Sequence, residues 1–231
     1  MKQKKRFFLG LLSLTFFLIV IAPGSSEAWH DETHAALAKA AGYRKWFNAA
    51  GADMAKVKAN HIEGYNHFVN NPPGTAVTQE MVFAQTEKYN QVDKFGHLYG
   101  AIIASFRNYI KKREEGDYGE YHLAYCAHYV GDLSQPLHNM IYNTFNKKHH
   151  VTVDGIINNK VLDNLKKIRV YSIAIMTERD LATQIARIAN MSLRLGSKMQ
   201  DEGRPLTKEE AYIQIGHSAS LFRAILRYLE N

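Results

Sequence analysis

Residues 118–138 read YGEYHLAYCAHYVGDLSQPLH, and this stretch is the clearest guide to the fold. Its apolar residues recur at the three- and four-residue spacing of an α-helix, which predicts a helix from Tyr118 to Leu133. Pro136 lacks a backbone N–H and cannot continue that helix, so the chain breaks before it. The stretch predicts a helical protein in which a polar, histidine-bearing face adjoins an apolar one.

The same helical spacing extends in both directions from this segment. It predicts further helices over 32–43, 54–68, 78–90, 93–113, 154–167, 171–195 and 207–229, with a loop at 70–74. Val151–Val153 is the only strand-like segment. No repeat or linker divides the chain, so we expect an all-α fold: a single compact multi-helix domain with a metal cleft.

The first residues have the pattern of a signal peptide rather than of a folded domain. Four basic residues precede an apolar run from Phe7 to about Ala22, and Pro23-Gly24 ends it. Small side chains at Ser26 and Ala28 favour cleavage before Trp29. The pattern predicts a signal peptide at 1–28, a helical domain at 29–231, and an exported protein, periplasmic or extracellular. An uncleaved anchor helix is the alternative, because the apolar run is close to the length that spans a bilayer.

Composition excludes several classes of protein. The 231 residues are 46% hydrophobic and 22% charged, which excludes a disordered chain. The formal net charge of +7 falls to +4 for residues 29–231, a balance that suits a phosphate-bearing substrate without specifying nucleic acid. Cys126 is the only cysteine, so no internal disulfide stabilises the chain. Bound metal is one candidate for that role, and the 11 histidines supply ligands.

His128 and Asp132 lie four residues apart on the predicted helix, so their side chains leave the same face. An imidazole nitrogen and a carboxylate oxygen at that spacing can bind one cation. His150 and Asp154 repeat the spacing, and His138 follows the helix end at Pro136. Each pair taken alone can equally be an ordinary helix-surface pair.

The start of the predicted domain adds further donors. The amine and carbonyl of Trp29 can chelate a metal if cleavage frees that amine, and His34 follows one to two helical turns later. Asp53 and His67 would lie about 21 Å apart on a straight helix, so they share a metal only if the helix bends or Asp53 precedes it. Asp53 can also be a simple helix N-cap.

Taken together, the order of these residues resembles the zinc-dependent phospholipase C family. That family shares its helical fold and trinuclear zinc site with the single-strand-specific zinc nucleases. The resemblance extends from residue 29 to residue 154, and the block Gly131-Asp132 with Gln135-Pro136-Leu137-His138 is its most specific part. The motifs that carry it are Trp29-x4-His34, Asp53-x13-His67, His128-x3-Asp132-x5-His138 and His150-x3-Asp154.

The resemblance implies three zinc ions. The first would be held by His67, His128 and Asp132, with Asp53 as a further ligand or an adjacent base. The second would take the Trp29 amine and carbonyl, His34, and Asp132 as a bridging carboxylate. The third would take His138, His150 and Asp154. His149 competes with His150, which we prefer because four residues to Asp154 keep one helix face.

The implied activity is phosphodiester hydrolysis by metal-activated hydroxide, with Asp53 and Asp132 as catalytic residues. The phospholipase branch would convert glycerophospholipids to diacylglycerol and a phosphorylated head group during transient contact with a membrane surface. The nuclease branch usually has Gly-Gly-Asn shortly after Pro-Leu-His, whereas this chain has Asn139 to Asn146 without it. The alternatives are a secreted single-strand nuclease or 3′-nucleotidase, the one case with a nucleic-acid substrate, and a non-catalytic zinc-binding envelope protein. No protein partner is implied.

Overall fold

The computed structural model describes residues 29–58 and 62–230. These residues form a compact all-α fold, and the model is 70% helical with no β-strand in the part described. The predicted signal peptide at 1–28 lies outside the described residues. Across 29–58 and 62–230, no helix combines the length and the apolar character that crossing a bilayer requires.

The α-helices that position the site are numbered here in chain order. They are α1 (Asp31–Ala41), α2 (Gly51–Lys58), α3 (Gln79–Thr86), α4 (Leu98–Glu114), α5 (Glu120–Leu133), α6 (Thr144–Asp154), α7 (Asn158–Val161), α8 (Glu178–Asp201) and α9 (Lys208–Glu230). Short 3-10 helices cover Trp46–Ala50, Ile62–Asn66, Pro136–Asn139 and Leu162–Lys167.

Helix α5 is the centre of the fold. It packs against α4 along its length and also contacts α1, α2, α8 and α9. Every residue from Cys126 to Leu133 is buried. A helix surrounded on all sides must be mostly apolar or small, so the polar side chains that it does bury, His128 and Asp132, require partners.

The predicted helix over 54–68 is wrong as a single element. Helix α2 ends at Lys58, and the 3-10 helix Ile62–Asn66 follows after three residues that are not described. The Asn66 amide group donates to Glu63 at 2.9 Å, and its oxygen accepts from the backbone N–H of Asn90 at 3.1 Å. These side-chain bonds favour a non-helical backbone at this point.

The predicted helix start at Asp93 is also wrong, because α4 begins at Leu98. Gly96 adopts a left-handed backbone with φ of 69°, and a Cβ atom there would lie 2.0 Å from the carbonyl oxygen of Phe68. The chain therefore turns at a glycine that no larger residue can replace without moving the backbone. This turn brings the residues before α4 against the segment that carries His67.

The strand-like segment Val151–Val153 is helical, and it lies in α6. Helix α6 begins after Asn143, whose side chain accepts from the backbone N–H of Asn146 at 3.0 Å, and ends at Asp154. The predicted helix over 154–167 is replaced by α7 and a 3-10 helix, with non-helical angles at Asn164. His150 and Asp154 therefore lie on one helix. That helix ends at Asp154, the residue at which the predicted helix was expected to begin.

The remaining helices agree with the sequence pattern except at their ends. Thr78 caps α3 through the backbone N–H of Met81. Helix α8 begins seven residues later than predicted, because Thr177 and Asp180 form a reciprocal capping box there. Helix α9 follows the predicted bounds closely.

Candidate metal centre

Asp132 lies at the centre of a buried group of histidines. Its Oδ2 atom is 2.8 Å from His67 Nδ1 and 3.5 Å from His128 Nε2. Its Oδ1 atom is 3.4 Å from His34 Nε2 and 3.8 Å from His138 Nδ1. All five side chains are buried. One carboxylate thus faces four imidazoles that come from separate parts of the chain.

Helix α1 reaches this group because α5 has a glycine at the crossing point. The ring of His34 stacks on that of His128, with centroids 3.6 Å apart and planes at 13°. A Cβ atom on Gly131 would lie only 2.4 Å from His34 Nδ1. A side chain at position 131 would therefore push His34 out of the group.

The hydrogen bonds of His128 fix which of its nitrogens faces the carboxylates. The backbone carbonyl of Ala49, which can only accept, lies 2.7 Å from His128 Nδ1, so Nδ1 carries the proton and donates. In neutral His128 the Nε2 atom then presents a lone pair. That atom lies 3.5 Å from Asp53 Oδ1 as well as 3.5 Å from Asp132 Oδ2. A lone pair directed at two carboxylates is favourable only when a proton or a metal cation lies between them.

His67 faces carboxylates with both of its nitrogens. Its Nδ1 atom lies 2.8 Å from Asp132 Oδ2 and 3.9 Å from Asp53 Oδ1, while its Nε2 atom lies 3.6 Å from Glu63 Oε1. Glu63 is buried, and it accepts a short hydrogen bond from the hydroxyl of Tyr129. A carboxylate behind the second nitrogen of a ligand histidine is the usual support of a metal site.

Glu63 is a residue of this site that the sequence pattern did not predict. The four-residue spacing from Glu63 to His67 was the available signal, since it repeats that of His128 to Asp132. Within a single predicted helix, however, Glu63 and His67 read as an ordinary surface pair. In the structure, Glu63 is buried in a 3-10 helix and faces the Nε2 atom of His67, so the pair belongs to the site.

A second buried group lies beside the first and consists of His138, His150 and Asp154. His138 Nδ1 donates to the backbone carbonyl of His67 at 2.6 Å. His150 Nδ1 donates to Asn146 Oδ1 at 2.6 Å, and the amide group of Asn146 in turn donates to the backbone carbonyl of Leu137 at 2.7 Å. The two histidines therefore present Nε2 lone pairs when they are neutral.

Those two lone pairs face each other. The Nε2 atoms of His138 and His150 are 3.1 Å apart, and their rings are nearly parallel. Asp154 Oδ2 lies 3.5 Å from His150 Nε2, while Gln135 donates to the other oxygen of Asp154. Two nitrogens without protons and a carboxylate at this spacing form a suitable donor set for one cation.

The protonation states agree with metal ligation. Burial alone would raise the pKa of Asp132, but the surrounding histidines, His128 first, hold that pKa well below its usual value. Burial, assisted by the neighbouring His128, lowers the pKa of His34 to about 4. At neutral pH the carboxylate is ionised and His34 is neutral, the forms in which each binds a metal.

The structure brings eight of the nine sequence-predicted metal residues into three groups. Within each group, the donor atoms lie within 4.8 Å of one another. Two of these groups consist of the residues that the resemblance implies. The remaining group combines His34 with Asp53 and His128. Asp53 lies in the first turn of α2, so its side chain joins two histidines rather than only capping a helix. The groups are His67-His128-Asp132, His138-His150-Asp154 and His34-Asp53-His128.

Trp29 is the ninth predicted residue, and it lies at the start of the first described segment. Its side chain is buried, while the backbone N–H of the next residue, His30, donates to the carbonyl of Asp154 at 3.3 Å. The chain therefore enters α1 next to the end of α6. A free amine at Trp29 depends on residues outside the described part and remains a prediction.

His149, His97 and Cys126 do not belong to the three groups. His149 packs its ring against Phe145, and His150 is the histidine that meets His138. His97 is buried and bonds Asn66 Oδ1 through Nε2 at 2.7 Å. Cys126 is buried, and burial raises the pKa of its thiol to about 12, so the thiol is not a nucleophile at neutral pH.

No protein-family model and no curated protein sequence matches this chain.

Proposed function

We propose that the protein is an exported zinc-dependent phosphodiesterase of the phospholipase C type. It would hydrolyse glycerophospholipids to diacylglycerol and a phosphorylated head group. The observation that carries the proposal is the convergence of imidazole lone pairs and carboxylates around Asp132, next to a second set around Asp154. The resemblance in the order of the ligands supplies the reaction class.

The donor atoms suit zinc better than calcium or magnesium. Calcium and magnesium favour sets of oxygen ligands, whereas each of the three groups here has two imidazoles and one carboxylate. His67, His128 and Asp132 would hold the first ion with Asp53 beside it. His34 and the main-chain end at Trp29 would share Asp132 for the second. His138, His150 and Asp154 would hold the third.

Zinc bound in such a centre supplies Lewis acidity, which lowers the pKa of a bound water to about 7 and neutralises charge on phosphoryl oxygens. The protein's own carboxylates divide the remaining work according to their exposure. The side chain of Asp53 is 20% exposed, whereas that of Asp132 is 0% exposed. Asp53 can therefore accept a proton from an attacking water and release it to solvent. Asp132 stays a fixed anion that positions the histidines.

The phospholipase assignment is tested against its two alternatives in one experiment. Protein that begins at Trp29 is assayed on short-chain phosphatidylcholine and on single-stranded DNA, before and after chelation and zinc restoration. We expect zinc-dependent release of diacylglycerol that Asp53→Asn abolishes and that the buried-thiol control Cys126→Ala retains. Cleavage of DNA alone would establish the nuclease alternative. Three bound ions without turnover of either substrate would establish the non-catalytic one.

The role of the Trp29 main chain has its own test. One extra residue before Trp29 replaces the free amine with a peptide nitrogen, which is a poor zinc ligand. We expect the extended protein to bind one fewer zinc ion and to lose most of its activity. Full zinc content and full rate in the extended protein would remove Trp29 from the ligand set without affecting the other groups.

A further inference from the structure

A large surface pocket lies on the side of the molecule formed by residues 155–171 and the first turns of α9. Its volume is about 1070 Å³. Its edge begins at Gly155, one residue after the metal-site residue Asp154, but the pocket includes none of the residues of the three metal groups. It is therefore a separate feature that the proposed hydrolysis does not use.

The charge of this pocket is strongly one-sided. Five basic residues line it and only one acidic residue, Glu209, does so. The chain beyond residue 28 has 25 basic and 21 acidic side chains, so an even distribution would have nearly balanced the pocket. The basic residues are Lys160, Lys166, Lys167, Arg169 and Lys208.

These five cations also have no acidic partner among the described residues. Some other basic side chains do form ion pairs, as in Lys88–Asp93, Arg107–Glu178 and Arg204–Glu210. None of the five pocket cations is in an ion pair with a described residue. A concave surface with several unneutralised positive charges concentrates anions from solution.

The wall that carries Arg169 is held firmly to α9. The carbonyl oxygen of Arg169 lies 2.8 Å from the position that a Cβ atom on Gly216 would occupy. Two residues later, the backbone N–H of Tyr171 donates to Ser220 Oγ at 3.0 Å. Close packing therefore holds the backbone of this wall, from which Arg169 extends, in place before a ligand binds.

Neutral hydrogen-bond donors complete the lining. Arg187 donates to the hydroxyl oxygen of Tyr171 at 3.1 Å, and the same hydroxyl is hydrogen-bonded to His217 Nδ1 at 2.6 Å. In the tautomer of neutral His217 whose Nδ1 accepts from Tyr171, the Nε2 atom carries the proton and acts as a donor. Lys167 lies over the ring of Tyr212, 5.4 Å from its centroid, which limits where its ammonium group can go.

We propose that this pocket is a binding site for a phosphate-bearing ligand. Lysine, arginine and imidazole N–H groups are the donors that recognise phosphate oxygens, and Glu209 is the one carboxylate in the pocket lining that would repel an anion. The phosphate can come from a soluble organic phosphate or from the head group of an anionic lipid. The inference concerns a different surface from the metal centre and does not depend on the proposed function.

The test compares two double variants that remove the same charge. Lys166→Gln/Arg169→Gln removes two pocket cations, and Lys111→Gln/Lys198→Gln removes two exposed cations elsewhere. Calorimetric titration with inorganic phosphate and with glycerol 3-phosphate measures the soluble source. Flotation with phosphatidylcholine vesicles, with and without phosphatidic acid, measures the lipid source. Metal content and thermal unfolding are measured for each protein.

We expect wild type and the control variant to bind one of these probes, and the pocket variant to bind it about tenfold more weakly or worse. The difference should shrink as ionic strength rises. A difference with glycerol 3-phosphate assigns a soluble ligand, and a difference only with phosphatidic acid assigns a lipid head group. Equal binding by the two variants for every probe would overturn the proposal. If the pocket variant unfolds, Lys160→Gln/Lys208→Gln tests the opposite side of the same pocket.

Discussion

The two parts of the candidate metal centre are built in different ways. The Asp132 side combines His34 of α1 and Asp53 of α2 with His67, which lies 65 residues before Asp132 in the sequence. The Asp154 side takes two residues from one helix and a third, His138, from 12 residues before His150. The first part joins side chains from four separate segments of the chain, whereas the second joins side chains from one helix and the turn that precedes it. We therefore expect the two to respond differently to the same kind of change.

Asp132→Asn should have the largest effect, because it removes the carboxylate shared by four histidines. We expect metal affinity on this side to fall by more than about 100-fold, the upper range for residues that only support ligands. The zinc content should drop from three ions to about one, since the Asp154 group keeps its residues. Metal analysis after dialysis measures this. Retention of all three ions would mean that Asp132 is not a ligand.

Asp154→Asn should have the opposite selectivity and a smaller effect. We expect loss of one ion only, with a lower melting temperature because metal binding contributes to folding free energy. His149→Gln is the matched control, because His149 packs against Phe145 outside the three groups. If Asp154→Asn instead emptied the Asp132 side as well, the two parts would be one cooperative unit.

Gly131→Ala tests whether the Asp132 side depends on a helix crossing. The added methyl group would lie 2.4 Å from His34 Nδ1, so either α1 or the ring must move. Overpacking of this kind costs about 1–3 kcal/mol of unfolding free energy, and we expect it to weaken binding of the ion next to His34 first. Gly64→Ala is the control, because a Cβ atom there meets nothing within 4 Å. Equal behaviour of the two variants would contradict the crossing argument.

His97→Gln should separate stability from metal binding, with the smallest effect of the four. Burial lowers the pKa of His97 to about 4, against 6.5 in an unfolded chain. Between these values the unfolded state binds more protons, so wild type loses stability as pH falls from about 6.5 to 4. Urea unfolding at several pH values should show a shallower loss for the variant.

Metal content of the His97→Gln variant at neutral pH should stay at the wild-type level. The reason is that His97 contacts Asn66 rather than belonging to any of the three groups. A variant with an unchanged pH slope would show that His97 titrates normally in the folded protein. Loss of zinc at neutral pH would make His97 part of the centre.

The sequence could predict contacts between residues that are close together along one helix, but not contacts between residues from separate segments. Spacing along one helix paired His128 with Asp132 and His150 with Asp154, since four residues always bring side chains to one face. The all-α fold followed from periodicity in the same way. Neither rule places α1 against α5, so the stacking of His34 on His128 required the structure.

The missed features depend on local competition with the helical backbone. Asn66 makes side-chain bonds to Glu63 and Asn90, and these accompany the 3-10 helix Ile62–Asn66, which replaces the end of one predicted α-helix. Glu63 was overlooked for the same reason, because its role depends on that 3-10 helix. Helices α4 and α8 begin later than predicted, at Leu98 and Glu178. The glycine turn before α4 and the capping box of α8 set these starting points more strongly than the apolar pattern does.

Two of the hydrogen bonds that orient the histidines end on main-chain carbonyls, at Ala49 for His128 and at His67 for His138. Every residue type has such a carbonyl, so no single amino-acid replacement at position 49 deletes the acceptor. Genetic screens and alignments would therefore miss these two supports, and only insertions, deletions or proline changes that alter the path of the backbone would reveal them.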